Sequence, residues 1–263
     1  MILKWKSAEN KLIEFTDKNK YILEDWSGFG YPTNNVKSVK SPKQIGNTII
    51  GQVMDPRKLT ISFKVITDNK DLLFQQKRNV IKAFNPLKKD GKLSYIVQNS
   101  KTYQIKAVAE QTPIFLNKKT TYQEVKIKLY AADPRWYNPT VNETTLNQSN
   151  DIYNLGDTNT PIILRLNGPM SNPLIINKST GNKIKLEHSI TSGEIVVINT
   201  RFGDKSIYLY DSLDRKRKAL SLLSFDSQLF GLTTGSNLIE FRANNMDSHS
   251  KATISYKERY LGI

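Results

Sequence analysis

The chain has 263 residues and no cysteine, so neither a disulfide framework nor a thiolate metal site or nucleophile is open to it. Its 39 Lys+Arg against 24 Asp+Glu give a formal net charge of +15, and no run approaches the ~20 apolar residues of a membrane span. The opening MILKWKSAENKLIEF scatters charges among its apolar residues and lacks a signal-peptide core, so the product is expected to be soluble and made in the cytoplasm.

In chain order, GFG at 28–30 lacks the strand-to-helix setting of a dinucleotide fingerprint, and Gly28 and Gly30 read as a turn ending at Pro32. KLTISFKVI then sets Leu59, Ile61, Phe63 and Val65 on one side and Thr60, Ser62 and Lys64 on the other, the period-two mark of a half-buried strand. Segments 92–98, 102–109 and 124–130 read the same way. Between them one helix is expected: Asp68 or Asn69 caps it, Leu73, Lys77, Val80, Ile81 and Phe84 follow helical spacing, and Asn85-Pro86 ends it. The first half is therefore α+β.

AADPRWYNP (131–139) follows, with Trp136, Tyr137 and Arg135 between Pro134 and Pro139. Each proline stops a strand or helix, so the segment is expected to be irregular, and its aromatics are large for a linker. The charge steps at the same place: residues 1–140 hold 25 Lys+Arg against 12 Asp+Glu, residues 141–263 hold 14 against 12. Two domains are expected, 1–139 and 140–263. Pro134, Trp136, Tyr137 and Pro139 are the candidate interdomain connector, the aromatics packing it against a domain or simply filling a corner of the core.

The second half offers strands at 161–166, 173–178, 183–187, 194–199, 206–210, 220–225, 237–242 and 252–258, parted by Gly, Asn, Asp and Ser turns, and no helix. That count in about 120 residues suggests an antiparallel sandwich or jelly roll, so the molecule is mainly β. DRKRKA (214–219) reads as a charged hairpin tip.

Chemistry is scarce. His188 and His249 belong to no metal spacing and no nucleophile pattern, and the carboxylates are spread singly. No catalytic, cofactor or metal residue is nominated, and no enzyme is expected. The lysines alternate along strands instead of lining a recognition helix, which points to a solvated or partner-facing sheet and to no specific nucleic-acid recognition. A carbohydrate-binding adhesion protein and, behind it, a nucleic-acid-binding protein are the alternative readings.

GFGYP (28–32), DPRKLTISFKV (55–65), FNP (84–86) and ADPRWYNP (132–139) form an ordered set. With NKSTGNKIKL (177–186), GEIVVINTRFGDKSIYL (193–209), GSNLIEF (235–241) and the terminal YKERYLGI (256–263), it resembles the distal tail proteins of long, flexible-tailed bacteriophages over essentially the whole chain. The resemblance implies a structural hub of the virion tail tip, not a catalyst. It implies an N-terminal α+β ring-forming domain, a self-assembled homo-hexamer, and a C-terminal galectin-like antiparallel β-sandwich used for docking. The implied partners are the tail tube protein, the tail-associated lysin or fibre protein, and the receptor-binding apparatus.

Overall fold

The computed structural model describes residues 2–17, 20–97, 101–117, 119 and 121–263. Gln98, within one expected strand, lies outside them. The chain divides into two compact units, residues 1–139 with 260–263, and residues 140–259. The last four residues, expected with the second half, belong to the first unit.

The first unit is built of β1 (Ile2–Lys6), β2 (Leu12–Phe15), β3 (Tyr21–Ser27), β4 (Asn34–Val39), β5 (Thr48–Met54), β6 (Arg57–Ile66), α1 (Lys70–Ala83), β7 (Gly91–Ile96), β8 (Thr102–Ala109), β9 (Ile114–Leu116), β10 (Tyr122–Ala131) and β11 (Trp136–Tyr137). One antiparallel sheet runs β2-β1-β7-β8-β10-β6-β3. The alternation in KLTISFKVI is satisfied by its partner: Leu59 faces Leu129, Ile61 faces Ile127 and Phe63 faces Val125, all buried. Each such side chain contributes roughly 1.5–3 kcal/mol of burial.

Helix α1 starts where Asn69 Oδ1 accepts the Leu72 N–H at 2.9 Å, with Asp71 in the first turn favouring the positive helix end. Leu73, Val80 and Ala83 are its buried face, whereas Ile81 is 37% exposed. Its last turn is pinned by Trp5, whose Nε1–H donates to the Ala83 carbonyl at 2.8 Å while its ring stacks on Phe84 at 5.1 Å.

The expectation that 131–139 is irregular is overturned. The prolines lie outside the two residues that pair, so Trp136 and Tyr137 form β11 against β8, with Tyr137 opposite Gln104. β11 also pairs with β24 (Arg259–Tyr260), the strand by which the chain returns to this unit.

The second unit holds β12 (Asn142–Thr145), β13 (Ser149–Asn154), β14 (Thr160–Asn167), β15 (Met170–Asn177), β16 (Lys183–Lys185), β17 (Ser189–Ile190), β18 (Ile195–Asn199), β19 (Ser206–Tyr210), β20 (Lys216–Lys218), β21 (Gly231–Leu232), β22 (Gly235–Asn244) and β23 (Lys251–Tyr256). They form antiparallel sheets in the orders β12-β23-β14-β18-β19-β20 and β13-β22-β15-β16. Leu164, Val196, Ile198 and Leu209 from the first share one core with Ile175, Ile184, Ile239 and Phe241 from the second.

Two local expectations are corrected here. Residues 220–225 are not a strand: Leu220–Leu222 make a single 3-10 turn, with Leu220 66% and Phe225 102% exposed. An apolar run of this length does not discriminate helix from strand, and its pairing with a neighbour is a single bridge, Leu223 opposite Leu186. The basic run 214–219 is not merely a tip, because Lys216–Lys218 pair with β19 as an edge strand and Lys216 Nζ sits 3.7 Å from the Tyr208 ring centroid.

Candidate functional site

The sequence motifs that stood apart converge on one buried cation. Arg57, at the start of β6, is 3% exposed and faces no carboxylate among its described partners. Its Nε–H donates to the Pro134 carbonyl at 2.7 Å, Nη1 to the carbonyls of Gly28 at 2.6 Å and of Gly30, and Nη2 to the Leu261 carbonyl at 2.6 Å. A planar fork of five donors suits this task, since it serves three chain segments at once and keeps its charge. Burial pulls its pKa below the ordinary guanidinium value, and the four carbonyl dipoles offset the lost hydration.

Around this fork the backbone must come close. Gly28 has φ +84°, and a Cβ there would fall 2.0 Å from the Lys58 carbonyl oxygen, so no other residue fits. The Ile263 N–H donates to the Phe29 carbonyl at 3.1 Å, which holds the C-terminal tail beside the 28–30 turn.

Trp136 is fully buried in the first unit's core, its ring centroid 5.3 Å from that of Phe29. Its Nε1–H is buried with no partner among the described residues. Tyr137 is half-buried on β11, the Pro134 carbonyl serves Arg57, and Pro139 is the last residue before the second unit begins. Sequence reasoning missed Arg57 itself: the DPR motif was visible, but nothing in it shows a guanidinium turned inward.

Hairpin β4–β5 presents a different surface. Every residue of β4 is exposed, and so are the large apolar side chains of Val36, Val39, Ile45, Ile49, Ile50 and Val53, Ile45 completely. Among the described residues its two strands pair only with each other. A two-stranded hairpin is marginal alone, and an apolar surface on it calls for a partner.

Among the described residues no cluster of His, Asp or Glu could hold a metal ion, and no helix is long and apolar enough to cross a membrane. His249 is exposed, its Nδ1 3.5 Å from Asp247; His188 is half-buried, its Nε2 without a partner among the described residues. A groove of about 740 Å³ in the second unit is lined by residues that include Thr145, Asn147, Glu240, Arg242, Ser250 and Lys251.

Residues 9–131 match the phage tail protein RIFT-related domain, and residues 155–260 match the C-terminal domain of the siphovirus-type tail component. No curated protein matches in sequence. The crystal structure of SPP1 Dit is similar over 98% of each chain, with a TM-score of 0.71 at 14% identity. The phage P2 baseplate in its activated conformation, in the Ca and the Sr forms, contains a chain matched over 100% of this one, with a TM-score of 0.59 at 10% identity in each. With both of the family's domains present in order and spanning most of the sequence, the chain belongs to the siphovirus-type tail component family, the distal tail proteins.

Proposed function

We propose that this protein is a non-catalytic ring subunit of the virion tail tip, a homo-hexamer closed through the first unit. The ring joins the tail tube to the tail-associated lysin or fibre protein, and the second unit serves as the docking module for the receptor-binding apparatus. The observation that carries the reading is hairpin β4–β5, whose exposed aliphatic side chains find no cover among the described residues. A closed ring uses two different patches on each subunit, so a protruding apolar arm is one half of the required head-to-tail contact. The similar SPP1 Dit is described as a paradigm of the hub adsorption apparatus in phages infecting Gram-positive hosts, which fits the same role.

Segment Pro134–Pro139 is the connector in this reading, anchored by Trp136 in the first unit and by the Pro134 carbonyl on Arg57. The test is light scattering on the full chain and on the Ile45→Asp/Ile49→Asp/Ile50→Asp variant. The wild type should reach the mass of six chains and the variant should remain monomeric; a hexameric variant would remove the hairpin from the contact.

A further inference from the structure

Three lysines stand in a line across the first unit's sheet. Lys6 on β1 is opposite Lys92 on β7, and Lys92 is opposite Lys106 on β8. All three are exposed, on the face opposite the buried Trp5, Leu93, Ile105 and Ala107. Adjacent strands are about 4.8 Å apart, and like charges directly opposite each other destabilise a sheet.

The rest of the same unit avoids that arrangement. Lys4, two residues along β1, pairs with Glu14 at 3.0 Å; Lys58 pairs with Glu110 at 3.0 Å; Lys64 pairs with Glu24 at 2.5 Å. None of the three aligned lysines has a carboxylate within ion-pair distance among the described residues. The row is a cost to folding that the isolated chain leaves uncompensated.

We infer that the Lys6–Lys92–Lys106 row docks an acidic surface of a different protein of the tail, an inference that rests on the hub reading. A second copy is a poor occupant of this row, since its own residues 1–140 carry 25 Lys+Arg against 12 Asp+Glu and the copy-to-copy contact proposed above lies at hairpin β4–β5. A nucleic acid is disfavoured by the strip itself. Its fourth member, opposite Lys6, is the exposed aliphatic Leu12, and no aromatic side chain on it offers a base a stacking platform. Carboxylates beside an apolar residue complement such a strip better than a phosphate polymer does.

The probe is a short fluorescein-labelled poly-glutamate peptide, titrated at low salt with the full-length protein. The Lys6→Gln/Lys92→Gln/Lys106→Gln variant should bind it about tenfold more weakly, three exposed ion pairs being lost. A variant of equal charge, Lys82→Gln/Lys205→Gln/Lys251→Gln, should stay within about twofold. Lys92→Glu should abolish the preference and raise Tm by a few degrees, because it turns two repulsive cross-strand pairs into attractive ones. Equal losses in the two triple variants, no binding by wild type, or a Tm for Lys92→Glu at or below wild type would overturn the inference. So would tighter, row-dependent binding of duplex DNA of matched charge. Each outcome is independent of ring mass, so failure here leaves the hexamer to be judged on its own measurement.

Discussion

Arg57 is the residue on which the first unit's irregular segments depend. Removing it strands four inward carbonyls, so Arg57→Ala should destabilise that unit by about 3 kcal/mol or more. Arg57→Lys should recover little, because a point charge with three donors cannot serve four acceptors in this fork. Urea unfolding followed by tryptophan fluorescence reads this unit alone, since Trp5, Trp26 and Trp136 all lie in it; a loss under about 1 kcal/mol would show the fork to be dispensable. Trp136 separates packing from hydrogen bonding. Its Nε1–H is unpartnered, so Trp136→Phe removes no bond and should cost about 1 kcal/mol, against roughly 3–5 kcal/mol for Trp136→Ala. Equal costs would mean that the ring's bulk does not support the core. In a Trp5→Phe, Trp26→Phe background the remaining emission should be blue-shifted and poorly quenched.

At the scale of elements, legibility followed burial. Strand β6 and helix α1 were readable because each buries one face against its own chain, which imposes period two on Leu59, Ile61, Phe63 and Val65 and helical spacing on Leu73 and Val80. Hairpin β4–β5 was not readable, since neither face is buried and Val36, Val39, Ile49 and Ile50 follow no period. β11 hid between two prolines, and its pairing depends on β8 and on a segment more than 120 residues later. The candidate site was half legible: its glycines, prolines and Trp136 were visible as motifs, whereas the cation that gathers them needed the fold. The lysine row was invisible for a related reason, because register is a property of pairing and not of any one strand. The hairpin's exposure also predicts that Ile45→Asp/Ile49→Asp/Ile50→Asp leaves the Tm of the monomer within about 2 °C of wild type. A larger fall would show these residues packing within their own chain.

Across the whole molecule the two units differ in their response to acid. Glu187, Glu194, Asp211, Asp226, Glu240 and Asp247 of the second unit are held below the ordinary carboxylate range. The leading causes are hydrogen bonds from lysines, as from Lys185 to Glu187 and Lys183 to Asp226, or from backbone N–H groups, as from Arg215 to Asp211. In the first unit Glu9 is held so, by Lys88. A depressed folded-state value contributes stability above the unfolded value and loses it as pH falls through the folded one. Below the unfolded values of 4.5 for Glu and 3.8 for Asp, the second unit should therefore weaken before the first. Because three of these carboxylates are exposed and the other three only half-buried, salt should shrink the difference. Calorimetry on a pH series, with tryptophan emission marking the first unit's transition, reads the order; the first unit melting earlier on acidification would reverse it.

The proposed ring would bring together first units that each carry a large positive charge, so its closure should be favoured by salt that screens over about 8 Å at physiological ionic strength. It should also be favoured by the acidic partner inferred above. The most direct test of the hub is electron microscopy of the full-length protein, with mass by light scattering, at low and high salt. The expected result is six-fold rings with the mass of six chains at high salt. Monomers at every salt concentration, or closed two-fold dimers, would contradict the assignment of this chain as a self-sufficient ring subunit.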